Sequence, residues 1–133
     1  MQVTSSNIDL VIISEIPDLR LDIEEWEDLP HLMFTELFAW TESSVRSEKI
    51  EDMARALRLV DTIFQDCDDE IKNAVTVSFL ECIDPDDDLG RQMFDAITPA
   101  LRKQWHALDE YMLQLIGKSV RGSVARNTDQ KKA

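Results

Sequence analysis

A chain of 133 residues with 14 basic and 27 acidic side chains has a formal net charge of −13, and 44% of its residues are hydrophobic. Such a charge repels phosphate backbones and argues against nucleic acid as a partner, while the apolar content argues against global disorder. With three glycines and four prolines, the composition favours long helices over a turn-rich sandwich, in one domain spanning residues 1–117.

The first seven residues are polar and expected to be loose. Residues 8–16, IDLVIISEI, read as a short strand or as a helix. Helix is the reading taken, because a lone strand needs a partner and no second alternating run exists. The stretch before Pro17 has no basic leader and its apolar run is too short to span a bilayer, so neither a secretory signal nor a membrane anchor is expected. Residues 22–28, DIEEWED, concentrate five acids around Trp26.

Pro30 suits the first turn of a helix over residues 30–43, whose Leu32, Met33, Phe34, Leu37, Phe38 and Trp40 mark it as core material. After a polar link, Ile50, Met53, Leu57, Val60 and Phe64 recur at helical spacing and predict a helix over residues 48–64. Residues 67–83, CDDEIKNAVTVSFLECI, predict the central helix. Ile71, Val75, Phe79 and Cys82 form one face and Ala74, Val77 and Leu80 widen it, with Asp68 or Asp69 as the cap and Asp84-Pro85 as the stop. Phe79 is expected between the helices at 48–64 and 99–116. On one continuous helix Cys67 and Cys82 would stand roughly 22 Å apart, beyond disulfide reach. Both are read as free thiols, consistent with a cytoplasmic chain.

A short helix is predicted at residues 88–96. A longer one follows at 99–116, with Thr98 capping, Pro99 in the first turn, and Leu101, Trp105, Leu108, Met112 and Leu115 as its stripe up to a stop at Gly117. Residues 118–133 carry five bases against Asp129 and little to bury, and are expected to fray. The expected fold class is all-α: a compact bundle of about five or six helices, counting the ambiguous first element.

Chemistry finds little support in the motifs. His31 and His106 are the only histidines and fall on different predicted helices, with no HExxH and no paired-cysteine motif, so no metal and no cofactor are expected. Asp84, Asp86, Asp88 and Asp95 have the spacing of a calcium loop, but Pro85 occupies its second position and Leu89 replaces the glycine of its turn. Gly90, Gly117 and Gly122 are too dispersed for a phosphate loop, and no nucleophile has a base nearby in sequence. The chain reads as a binding protein rather than an enzyme.

The segments DDEIKNAVTVSFLE (68–81), PALRKQWHALDEYM (99–112) and LPHLMFTEL (29–37) resemble small bacterial proteins akin to the immunity proteins encoded beside polymorphic or contact-dependent growth-inhibition toxins. The resemblance implies a cytoplasmic protein that binds and neutralises a cognate toxin domain. The charge agrees with it, since many toxic nuclease domains present a basic surface. Two surfaces are candidates for the partner. One is Asp22, Glu24, Glu25, Glu27 and Asp28 around Trp26, which reads either as an aromatic anchor or as a cover for the hydrophobic core, and the other is Asp86, Asp87 and Asp88. A general adaptor or complex subunit is the alternative; monomer and dimer both remain open.

Overall fold

The computed structural model describes residues 2–116. Its first residues are held rather than loose. The Val3 amide donates to the Asp66 carbonyl at 2.9 Å, and the Asp68 amide donates to the Val3 carbonyl at 3.0 Å, a single parallel bridge centred on Cys67. Asn7 then accepts from the Thr4 amide at 2.8 Å and donates to the Gln2 carbonyl at 3.0 Å. These bonds satisfy backbone groups that would otherwise lose water when Val3 is buried.

From that turn the chain enters α1 (Ile8–Glu15), which buries Ile8, Ile12 and Ile13. The ambiguous segment is therefore helical. A 3-10 turn at Pro17–Leu19 leads into α2 (Arg20–Glu25), whose Ile23 is fully buried. α3 (Pro30–Arg46), α4 (Ile50–Gln65), α5 (Asp69–Ser78), α6 (Asp88–Ala96) and α7 (Pro99–Ile116) complete the described residues. The fold is all-α, with seven helices among the described residues in place of the five or six expected. The added one is α2, which sequence reading treated only as an acidic stretch. The expected stop at Gly117 and the tail at 118–133 lie outside the described residues.

The centre of the bundle is α3, not residues 67–83. α3 lies against α2, α4, α5 and α6 and buries Met33, Phe34, Leu37, Thr41, Ser44 and Val45. Thr41 and Ser44 tolerate this because their hydroxyls donate back to the carbonyls of Leu37 and Trp40, at 2.7 and 2.9 Å. The helix runs three residues past its expected end at residue 43. It closes in a Schellman turn: the Glu48 amide donates to the Val45 carbonyl at 3.0 Å and the Lys49 amide to the Ser44 carbonyl at 2.8 Å, with Glu48 at φ 61. A left-handed backbone is unfavourable for a residue with a Cβ. Glu48→Gly is expected to stabilise the fold by about 0.5–1 kcal/mol, read as a higher denaturant midpoint with an unchanged slope.

Residues 67–83 are not one helix. Asp68 caps α5 as expected, its Oδ1 accepting from the Ile71 amide at 2.9 Å. The helix then ends at Ser78, and Leu80–Cys82 form a 3-10 turn. The β-branched Val75, Thr76 and Val77 weaken its last turn, and Phe79 at φ −124, ψ −64 breaks it. The break leaves Phe79, Leu80 and Ile83 fully buried. The ring packed edge-on against Phe79 is Phe38 of α3, at 5.4 Å between centroids, a neighbour the sequence reading did not supply. The Ile83 carbonyl, outside any helix, accepts the Trp105 indole N–H at 3.0 Å. The start of α7 is as predicted, with Thr98 Oγ1 accepting from the Leu101 amide at 3.3 Å.

Candidate protein-docking surface

The acids around Trp26 sit on α2 and the turn into α3. α2 is short, with Leu19 and Ile23 holding it to the core, so its other side chains project outward. Asp22, Glu24, Glu25, Glu27 and Asp28 are all exposed. Glu24 meets Arg20 at 3.6 Å, but both side chains are more than half exposed, and an ion pair in that setting contributes little. Asp28 takes φ 65 in the turn closed by the Leu29 amide on the Trp26 carbonyl at 2.9 Å. Aspartate tolerates that left-handed geometry better than most residues. Glu24 and Glu27 meet Asp9 of α1 around a shallow hollow of ≈ 250 Å³.

Trp26 does not stand free as an anchor. It is half-buried against the core, and its indole N–H donates to Glu36 Oε1 at 3.1 Å. The most exposed apolar side chain of this surface is Leu21, at 81%, with Leu10 of α1 at 66%. Sequence reading missed both. Once residues 20–25 are seen as a helix, the two-residue step from buried Ile23 to Leu21 turns Leu21 to the opposite side.

The second acidic surface is largely accounted for by its own folding. Asp86, Asp87 and Asp88 are exposed. Asp87 caps α6 through the Gly90 amide at 3.3 Å, and Asp88 lies in the first helical turn, where a negative charge suits the helix dipole. Asp84 is buried, its Oδ1 accepting from the Asp86 amide at 3.0 Å and its carbonyl from the Asp87 amide at 3.1 Å. Arg91 Nε donates to the Pro85 carbonyl at 2.9 Å. The loop that resembles a calcium site in spacing is thus knit by backbone hydrogen bonds. Among the described residues no group of three or more His, Cys, Asp or Glu side chains could hold a metal ion.

The remaining candidates for chemistry lie apart. His31 Nδ1 is 3.0 Å from Ser78 Oγ, joining α3 to the end of α5, whereas the exposed His106 lies edge-on to Phe94 and Trp105. Cys67 and Cys82 are free thiols. Desolvation raises the pKa of each, reinforced at Cys67 by Asp68, Asp66 and Asp69 against the opposing pull of Lys72, and at Cys82 by Glu81 and Glu42. Both thiols therefore resist the ionisation that nucleophilic attack requires. No described helix is long and apolar enough to cross a membrane.

Comparison with known proteins finds no match to a curated protein and none to a solved structure. Residues 10–113, from within α1 to the last turns of α7, match the sequence profile of DUF7674, a domain of unknown function, and the chain belongs to that family.

Proposed function

We propose that this protein is a cytoplasmic immunity protein that neutralises a basic toxin domain by stoichiometric occlusion, without turnover. The observation that carries the reading is the α2 surface. Five exposed carboxylates lie on α2 and the turn after it, together with the exposed Leu21, on a short element held to the core by Leu19, Ile23 and Trp26, on a chain of net charge −13. Charge of this sign steers a cationic protein toward the surface, and an apolar side chain among the acids prolongs the contact once water leaves it. The α6 loop is the lesser candidate, since Asp87 is already committed to a helix cap.

The test is a titration against the protein encoded by the neighbouring gene. Inhibition of its toxicity is expected to be complete near one equivalent, with a stable complex. Neutralising Glu24, Glu25, Glu27 and Asp28 together is expected to slow association about tenfold or more at low salt and to flatten its salt dependence. Folding is expected to persist, because exposed carboxylates contribute little to stability. Equal slowing by neutralising Asp86, Asp87 and Asp88 would move the site to the α6 loop. A neighbour that binds but is not toxic would make the protein an adaptor, and its chemical alteration by substoichiometric amounts would make it an enzyme.

A further inference from the structure

Residues 2–26 meet the rest of the fold in two different ways. Val3, Ile8, Ile12, Ile16, Leu19 and Ile23 are buried in the common core, a contact that is strong but undirected. The directed contacts stand at the two ends. Among the described residues, three hydrogen bonds join residues 2–28 to the chain beyond residue 29: the two that link Val3 to Asp66 and Asp68, and the one from the Trp26 indole to Glu36. Each of these clasps adjoins the end of a helix. The Ile8 amide at the start of α1 donates to the Thr4 carbonyl at 3.0 Å, and the Trp26 amide at the end of α2 donates to the Ile23 carbonyl at 3.1 Å. Neither α1 nor α2 has a side-chain cap, and at eight and six residues they are too short to persist away from the core. α3 and α4, at 17 and 16 residues, are twice that length.

We infer that residues 2–26 form a lid that opens as a unit while α3 to α7 stay folded, and that the Val3 and Trp26 clasps hold it shut. Stability within a fold is uneven, and short uncapped helices tied down by few hydrogen bonds belong to its low end. The lid carries the exposed Asp22, Glu24 and Glu25, with Glu27 and Asp28 in the turn on which it swings. Asp28, at φ 65, lies at that hinge. Closing the clasps therefore assembles the acidic surface, and a partner bound across it holds them closed, because whatever binds one state of an equilibrium shifts the equilibrium toward it. This coupling rests on α2 being the docking surface. The lid itself does not.

Native-state hydrogen exchange of the free full-length protein tests the lid. The amides of α1 and α2 are expected to exchange about tenfold or more faster than the slowest amides of α3 and α4, with a shallower dependence on urea, since opening the lid exposes less surface than unfolding does. Variants separate the two processes. Asp87→Ala, at the α6 cap outside the lid, is expected to speed the slow α3 and α4 amides about fivefold and to leave those of α1 and α2 unchanged. Val3→Asn, which keeps the net charge, and Trp26→Phe, which keeps a ring but loses the indole N–H, are each expected to speed the α1 and α2 amides about tenfold. If α1 and α2 respond to Asp87→Ala as α3 and α4 do, the molecule opens as one unit and the lid is rejected. If neither clasp variant speeds them, the clasps do not hold it and the inference fails equally. The neighbouring gene's product is then added, and slower exchange in α1 and α2 is expected on binding. A complex that leaves their exchange unchanged, in a protein whose free form passes the first tests, overturns the coupling and the α2 docking surface together and leaves the lid intact.

Discussion

Phe79→Ala is expected to destabilise the protein by about 3 to 5 kcal/mol, the range for removing a fully enclosed aromatic ring. Phe79 is completely buried and stands where α5 gives way to the 3-10 turn at Leu80–Cys82. Its edge-on contact with Phe38 ties that break to α3, the helix against which α2, α4, α5 and α6 pack. Collapse into the cavity is restricted from both sides. Leu80 and Ile83 are themselves fully buried, Ile83 is held through its carbonyl to Trp105, and the Phe79 amide donates to the Val75 carbonyl at 3.1 Å, so the backbone on either side of the vacancy is pinned. Equilibrium urea unfolding of the monomer measures the effect, and a loss below about 1 kcal/mol would show that the site fills by relaxation. Leu32→Ala on α3 is the internal control. Leu32 is partly exposed at 37%, so its truncation is expected to cost much less than a buried leucine would.

The contrast between Phe79 and the helix that carries it shows what was legible in the sequence. Its burial could be read from the spacing with Ile71 and Val75, because apolar periodicity reports which residues avoid water. The break at Ser78 could not, since the spacing of 79, 80 and 83 fits a continued helix as well as a helix that yields to a tighter turn. Which one forms depends on Phe38 and Trp105, which lie far away in sequence. Local caps were more readable. Asp68, Pro30, and Thr98 with Pro99 act over three or four residues, and each marks a helix start in the structure. For the same reason Val3 was unreadable as a buried residue: its bridge to Cys67 closes across more than sixty residues of chain.

The candidate surface was legible in charge and not in shape. The acids at 22–28 stand out in any reading of the chain, and they are exposed as expected. Aromatic preference at interfaces leaves Trp26 open as an anchor or as a cover for the core. Glu36, ten residues further along, takes the indole N–H, and only the packing of α2 on α3 reveals that. Leu21 would have emerged had the six residues of α2 been long enough to show a period. The exposure of Leu115, at 62%, was hidden for the opposite reason. Leu101, Trp105, Leu108, Met112 and Leu115 form one unbroken stripe, and periodicity does not say how far the body beneath it extends.

In the sequence Gly90 is only one of three glycines too dispersed for a phosphate loop, yet Gly90→Ala is expected to be among the most damaging single-methyl changes in the chain. A Cβ at this position would collide with the carbonyl oxygen, carbonyl carbon and amide nitrogen of Asp84. All three are backbone atoms, so no side chain can swing aside. Moving Asp84 in turn breaks what it supports. Its carboxylate and carbonyl hold the amides of Asp86 and Asp87, Asp87 caps α6 through the Gly90 amide itself, and the neighbouring Ile83 holds Trp105. Overpacking of a closed interior typically costs about 1 to 3 kcal/mol, and loss of the cap adds about 1 kcal/mol, so a destabilisation of about 3 kcal/mol is expected. The comparison that isolates the mechanism is Asp87→Ala, which removes the cap without the collision and is expected to cost about 1 kcal/mol. If urea unfolding finds the two variants equally stable, the close approach of Gly90 to Asp84 is not what holds this loop. If Gly90→Ala is the worse by about 2 kcal/mol, the glycine is required because α6 starts flush against the Asp84 backbone.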